Sequence, residues 1–95
     1  MSTRNTKAIQ RTDNTIMEID NVPESIGAII KKIRTRHRHS QRELGELIDL
    51  SHSSIAKYER GEVVPSIENL CKILSFYDVS LSRFFTEVDK LRKLD

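Results

Sequence analysis

Apolar residues recur at helical spacing over most of this 95-residue chain, and short polar segments separate them. In residues 23–37 the isoleucines occupy positions i, i+3, i+4 and i+7, so they share one side of a helix. We expect Ile26, Ile30 and Ile33 to face a core. Ile29 is expected at the edge of that core.

Residues 41–60 contain two short helical patterns joined by a tight turn. The apolar residues at helical spacing are Leu44, Leu47 and Ile48 in the first helix and Ile55 and Tyr58 in the second. Gly45 stands where a second helix that crosses the first leaves room for little or no side chain. Asp49 tolerates the left-handed backbone conformation that such a turn uses. The motif thus has apolar residues and a small residue in its first helix, a turn-forming residue, and apolar residues in its second helix. This order predicts a helix-turn-helix.

Two further helices are predicted at residues 67–77 and 81–94. The first has the apolar set Ile67, Leu70, Cys71, Ile73 and Leu74, and the second has Leu81, Phe84, Phe85, Val88 and Leu91. A serine suited to capping precedes each helix after the first, at Ser40, Ser51, Ser66 and Ser80. Ser40 and Glu43 have the spacing of a capping box, and Gly61 suits a left-handed helix end. The chain is therefore predicted to be all-α, a compact bundle of five helices.

Composition narrows the class of protein. The single cysteine, Cys71, excludes a disulfide within the chain, which suits a reducing cytoplasm. No apolar run has the length of a membrane span or a signal peptide, so a cytoplasmic protein with no membrane contact is expected. The net charge is only +2, but residues 31–42 hold six lysines and arginines and no acid. This basic block is either a patch for phosphates or a solvated helix end whose cations complement the helix dipole.

Residues 26–85 resemble the helix-turn-helix family of phage lambda repressor, Cro and the xenobiotic-response-element-type regulators. The matching residues are Ile30, Ile33, Arg34, Ser40, Gln41, Glu43, Leu44, Leu47, Ser51, Ile55, Glu59, Gly61, Pro65, Ser66, Leu70, Ile73, Val79, Ser80, Leu81, Phe84 and Phe85. The family usually has Ala at the position of Gly45 and Gly at that of Asp49. The resemblance implies a lambda-repressor-like DNA-binding domain and a sequence-specific transcriptional regulator, with repression favoured over activation.

The resemblance also implies which residues meet DNA. The base-reading positions of the second motif helix correspond to His52, Ser53 and Lys57, with Ser54 nearby. In the family the residue that corresponds to Gln41 contacts the DNA backbone. The arginines Arg42, Arg38 and Arg60 are expected to bind phosphates as well, because of their charge and their place beside the motif. Because short polar residues and a lysine can enter a major groove, the residue types agree with these roles. A solvated helix face is the alternative for the same residues if the resemblance is set aside.

Glu59 is implied to pair with Arg34. A lone acid at the end of a recognition helix would repel DNA, and in the family an equivalent glutamate pairs with an arginine of the first helix. We therefore predict a partly buried Arg34–Glu59 ion pair that fixes the recognition helix against the first helix.

The last helix carries more apolar residues than one small core needs. Leu81 and Phe84 are expected to close the core. The dimer interface is expected to contain Phe85, Val88, Leu91 and Leu94. A two-fold homodimer would set two recognition helices about 34 Å apart, as a near-palindromic operator requires. The alternative is that this helix folds back on its own domain.

Residues 1–22 are predicted to be a flexible tail before a single domain at residues 23–95. In one interpretation Arg4, Lys7 and Arg11 form an arm that touches DNA, and in the other the tail is untethered.

No catalytic, cofactor or metal site can be assembled from this sequence, so an enzyme is not expected. His37 and His39 lack further ligands nearby. No small-molecule site is evident, and the expected partners are double-stranded DNA and a second copy of the chain. The competing hypothesis is a protein-interaction module, an antitoxin or a co-regulator, which would act through a regulatory protein partner.

Overall fold

The computed structural model describes residues 21–93, and within them the chain forms five α-helices and no strand. The helices are α1 (Val22–Arg36), α2 (Gln41–Ile48), α3 (His52–Glu59), α4 (Ile67–Phe76) and α5 (Leu81–Arg92). The all-α prediction is confirmed, and each helix lies within one residue of its predicted start. The proposed arm residues Arg4, Lys7 and Arg11, and Leu94 of the proposed interface, lie outside the described residues.

Serine side chains cap α2, α3, α4 and α5. Each hydroxyl oxygen accepts a hydrogen bond from the backbone N–H three residues further on, at 3.0–3.1 Å. At Ser40 the capping box is complete, because its own N–H donates to Glu43 Oε1 at 2.7 Å. These hydrogen bonds from Ser40 lower the pKa of the Glu43 carboxyl. Local sequence therefore fixes where four of the helices begin.

Left-handed residues end several of the helices. Asp49, with φ 60°, ends α2, and Gly61, with φ 74°, follows α3. Both were predicted from the sequence. Arg38 and Asp78 have φ 60° and 57° after α1 and α4. Aspartate tolerates this conformation better than arginine because its short side chain can bond to the local backbone.

The core lies where all five helices meet. Each helix contributes at least one fully buried apolar residue, and these include Ile30, Leu44, Ile55, Ile73 and Phe84. Around them pack other buried residues such as Ile26, Leu70 and Leu74. Cys71 is half-buried. The bundle gives the short α3 a continuous apolar support along its inner side.

Three residues expected in the core are exposed. Leu47 is 54% exposed because the buried side of α2 is centred on Leu44 and Gly45, and at about 100° per residue Leu47 lies off that side. Ile67 and Leu81 are 65% and 41% exposed. Each is the first residue of its helix, and helical side chains point toward the N-terminus, so both extend past the helix end.

The packing of α5 on α1 corrects two further expectations. Ile29 is buried rather than at the core edge, and Val88 is 3% exposed. Val88 therefore belongs to the chain's own core, and its assignment to the dimer interface is wrong. Leu91 is half-buried against the same core, whereas Phe85 remains 39% exposed. The reason is that α1 is 15 residues long and covers the inner side of α5. The helix thus folds back on its own domain, and of its large apolar residues within 21–93 only Leu81 and Phe85 are exposed.

No helix within residues 21–93 combines the length and the apolar character that crossing a membrane requires.

Candidate nucleic-acid interface

Helix α3 presents three polar side chains to solvent. Ile55 and Tyr58 are buried on its inner side, while His52, Ser53 and Lys57 are exposed on the outer side. All three are at the positions implied for base contacts. A helix of eight residues with a lysine one turn after small polar residues fits the width of a DNA major groove.

Ser54 is less available than its neighbours. It is half-buried, and its hydroxyl oxygen accepts a hydrogen bond from the Ser51 hydroxyl at 2.9 Å. Its backbone N–H donates to the same Ser51 oxygen at 3.1 Å. Ser54 therefore takes part in the cap of α3, which leaves its hydroxyl less available for the base contact that the resemblance implies.

Helix α1 lies directly on the last turn of α3 at Gly27. A Cβ atom on Gly27 would lie 2.2 Å from the Tyr58 carbonyl oxygen and 2.7 Å from that of Glu59. Only glycine permits this separation of the two backbones. Gly27 was not predicted from the sequence. A glycine inside a regular helical pattern costs about 1 kcal/mol, which indicates that its position has a structural reason but not which backbone lies opposite.

A residue without a side chain is needed at Gly45, as expected. The atoms that leave no room for a side chain belong to the turn rather than to the body of a crossing helix. An added Cβ would lie 2.3 Å from the Leu50 carbonyl oxygen in the turn and 3.3 Å from the His52 nitrogen. The tight contact is therefore with the turn and the start of α3. This glycine lets the helix-turn-helix close on itself.

The predicted ion pair between Arg34 and Glu59 is present and well sheltered. Arg34 Nε and Nη2 donate to the two Glu59 carboxylate oxygens at 2.7 and 2.8 Å. The two side chains are 9% and 3% exposed. Hydrogen bonding to Glu59 raises the pKa of the Arg34 guanidinium above its ordinary value despite partial burial. The arginine is therefore charged at neutral pH.

Two additional bonds extend this pair into a network. Arg34 Nη1 donates to the His39 carbonyl oxygen at 2.7 Å, and Gln41 Nε2 donates to Glu59 Oε1 at 3.0 Å. The network therefore joins α1, the segment before α2, the start of α2 and the end of α3. From α4, Asn69 Nδ2 donates to the Tyr58 hydroxyl at 2.9 Å. Helix α3 is thus held by polar contacts from three other helices.

The residues implied for phosphate contacts differ in availability. Arg38 and Arg42 are exposed and form no side-chain hydrogen bond within residues 21–93. Gln41 is half-buried and already bound to Glu59. Arg60 forms an exposed ion pair with Glu62. The side-chain hydrogen bond in that pair raises the pKa of Arg60 and lowers that of Glu62.

Arg42 and His52 line one shallow depression of about 360 Å³ at the junction of α2 and α3. Glu46 and Asp49 line it as well. Arg42 and His52 can bind a phosphate in this depression. The carboxylates of Glu46 and Asp49 repel phosphates, so they limit how closely a DNA backbone can approach this side of α2.

The basic block of residues 31–42 does not form one patch. Arg34 points into the domain, and Lys32 and Arg36 line a cavity against α5. Arg38 and Arg42 remain near the beginning of α2. The phosphate patch that was predicted from this block is thus limited to its last part.

Among residues 21–93 there is no group of three histidine, cysteine, aspartate or glutamate side chains that could hold a metal ion.

The fold and this geometry define a small all-α domain that presents one short helix from a helix-turn-helix pair. The family described as helix-turn-helix matches residues 30–84, and the chain belongs to this family. The resemblance to lambda repressor- and Cro-like regulators that the sequence suggested is therefore confirmed.

Relatives and solved structures agree with this assignment. The chain is 42% identical over 64 residues to the HTH-type transcriptional regulator PuuR of Escherichia coli (strain K12). The matched residues make up 67% of this chain and 35% of PuuR. It is 30% identical over 56 residues to the uncharacterized HTH-type transcriptional regulator YgzD of Bacillus subtilis (strain 168), covering 59% of this chain and 85% of YgzD. The crystal structure of the clp gene regulator ClgR from Corynebacterium glutamicum superposes with a TM-score of 0.72 at 25% identity, over 77% of this chain and 78% of that one. This chain spans about a third of the length of PuuR.

Proposed function

We propose that this chain is a sequence-specific DNA-binding regulator of transcription that acts as a homodimer on a near-palindromic operator. The observation that carries the proposal is the outward projection of His52, Ser53 and Lys57 from a helix that is immobilised on its other side. Helix-turn-helix relatives that are called transcriptional regulators support it. Repression by occupying a promoter is the expected mode, because it needs no surface beyond the DNA-binding one.

In this proposal α3 enters the major groove with its N-terminal end first. Lys57 donates to guanine O6 or N7, and His52 bonds to a purine N7 or a phosphate. Ser53 can donate or accept and so discriminates little alone. Ser54 would contact a base only if its hydroxyl gave up the hydrogen bond with the Ser51 hydroxyl.

Phosphate contacts position the helix in the groove. Arg38 and Arg42 are free to reach phosphates, and the N-terminus of α2 offers unpaired N–H groups of the kind that bind anions. Arg60 would have to leave Glu62 to take part, which is feasible because the two side chains are 56% and 52% exposed. These contacts set affinity, whereas base contacts set sequence preference.

Alanine at Lys57 is expected to weaken the preference for one base pair of the operator by about 1–3 kcal/mol, because one base contact is lost. Alanine at Arg42 is expected to weaken binding to all duplexes alike and to lower the salt dependence by about one released counterion. Fluorescence anisotropy on the selected operator, its single-base variants and a random duplex across a salt series measures both effects. Equal loss on all duplexes for the Lys57 variant would remove Lys57 from the base-reading set.

The proposed homodimer uses the outer side of α5. Phe85 and Leu81 are one helical turn apart and are 39% and 41% exposed. Their exposure leaves an apolar strip for a second copy of the chain, which Leu91 could extend from its half-buried position. The contact is smaller than the one predicted from sequence, because Val88 is internal.

Replacing Phe85 by lysine is expected to convert the dimer to a monomer in sedimentation equilibrium, with little change in thermal stability, because Phe85 is 39% exposed and does not belong to the buried core. Replacing Thr86, an exposed residue of the same helix, by lysine is the matched control and should leave the dimer intact. A wild-type chain that sediments as a monomer at concentrations at which it binds DNA would contradict the proposed interface.

A protein-interaction module is the second candidate function. It is favoured by the exposed apolar residues of the segment after α3, Val63 and Val64, which are 46% and 50% exposed. An antitoxin or co-regulator would dock such residues on its partner. Binding measurements separate the two functions: a regulator loses affinity steeply with salt and keeps a large preference for one site. A docking module shows neither property without its partner.

A further inference from the structure

A second concave site lies between α1 and α5, with the turn after α4 at one end. It has a volume of about 330 Å³, within the range of small-molecule pockets. Its apolar floor is formed by Ile29, Ile33 and Phe84, all of which are buried. Side chains of three separate elements therefore surround a space large enough for a compact organic molecule.

Three cationic side chains border this cavity. Lys32 and Arg36 reach it from α1, and Arg83 reaches it from α5. Within residues 21–93 none of the three side chains takes part in a hydrogen bond or an ion pair. Two acids, Asp78 and Glu87, also line the space, and Glu87 is in contact with Lys90 at 3.5 Å. The cavity thus carries an excess of positive charge over an apolar floor.

DNA binding does not account for these cations. Arg34, which contacts Glu59 of α3, lies two residues from both Lys32 and Arg36. At about 100° per residue, side chains two positions apart point in nearly opposite directions around a helix. No residue of α2 or α3 lines the cavity. The three cations therefore stand on a different side of the domain from His52, Ser53 and Lys57.

We propose that this cavity binds a small organic anion. Its carboxylate or phosphate group is bound by Lys32, Arg36 and Arg83, and its apolar part lies on Phe84 and the α1 isoleucines. Guanidinium groups suit both acid types, because they donate two parallel hydrogen bonds to carboxylate or phosphate oxygens. The proposal does not depend on the proposed function, because the site shares no residue with the DNA-reading surface.

The test uses phenyl phosphate and benzoate as probes. Inorganic phosphate, which lacks the apolar part, and benzyl alcohol, which lacks the acidic part, serve as comparisons. Titration of ¹⁵N-labelled protein, followed by amide chemical shifts, should show saturable changes around Ile29, Arg36 and Phe84 for at least one of the two acids. Inorganic phosphate and benzyl alcohol should each bind more weakly than that acid. Comparison of the two acids distinguishes a carboxylate site from a phosphate site.

Variants localise the binding. The double substitution Arg36→Gln with Arg83→Gln should lower the affinity for the bound acid by about tenfold or more, because two charge-assisted hydrogen bonds are lost. The single substitution Lys31→Gln, at an exposed position outside the cavity, should leave its affinity unchanged. The proposal is overturned if the shifts do not saturate, if they concentrate at the N-termini of α2 and α3, or if the double variant binds as the wild type does. Operator binding is measured separately, so that a failure of the DNA proposal is recognised independently.

Discussion

Replacing Arg34 by methionine is expected to lower the free energy of unfolding by about 3–5 kcal/mol, which is a large part of the stability of a small domain. Methionine keeps most of the side-chain volume but leaves the Glu59 carboxylate, only 3% exposed, without its charged partner. The His39 carbonyl oxygen loses a donor as well. Urea denaturation followed by circular dichroism measures the change.

A double variant distinguishes the ion pair from simple packing. If Glu59 is also replaced by methionine, the uncompensated buried charge disappears, and most of the lost stability should return. Gln41 then loses its acceptor but is only half-buried, so it can bond to water. An Arg34→Met protein as stable as the wild type would mean that this network does not hold α3 against α1.

Replacing Gly27 by alanine is expected to destabilise the domain by about 1–3 kcal/mol, although alanine favours a helix. The new methyl group would lie 2.2 Å from the Tyr58 carbonyl oxygen, and a backbone atom cannot move aside as a flexible side chain can. Helix α1 must therefore shift away from α3. Thermal and urea denaturation measure the loss of stability.

Lys31→Ala is the matched control for Gly27, because Lys31 is exposed on the same helix. Its stability should stay close to that of the wild type. If the Gly27→Ala variant is more stable than the wild type, helix propensity outweighs the clash, and α1 and α3 are not in the tight contact described above.

Features that depend on neighbouring residues were predictable from the sequence. The serine caps and the capping box at Ser40 involve hydrogen bonds over three residues, so the residue types and their spacing define them. The same is true of Asp49, whose left-handed backbone ends α2. The apolar spacing in α3 also correctly separated Ile55 and Tyr58 from the outward residues.

The Arg34–Glu59 contact spans 25 residues and could not be derived from spacing. It was predicted through the family resemblance, since no local pattern brings α1 to the end of α3. Gly27 belongs to the same crossing and was missed, because a glycine identifies a close approach only after the opposing backbone is known.

Apolar periodicity also does not say which neighbour covers an apolar side chain. Val88 has the spacing of an interface residue, but α1 extends far enough to bury it. Leu47 and Ile67 match the apolar pattern and are nevertheless exposed, because Leu47 lies off the buried side of α2 and Ile67 extends past the start of α4. The cavity between α1 and α5 arises from this packing and has no signature in the sequence.

Selection of duplexes from a random DNA pool tests the central claim most directly, with the wild type compared with a variant in which His52, Ser53 and Lys57 are all alanine. Because the three side chains are exposed, the variant should unfold at a similar urea concentration and keep weak, salt-sensitive binding to any duplex. The wild type should enrich one near-palindromic sequence, and the folded variant should enrich none. Enrichment of the same sequence by both proteins would show that α3 does not read the operator.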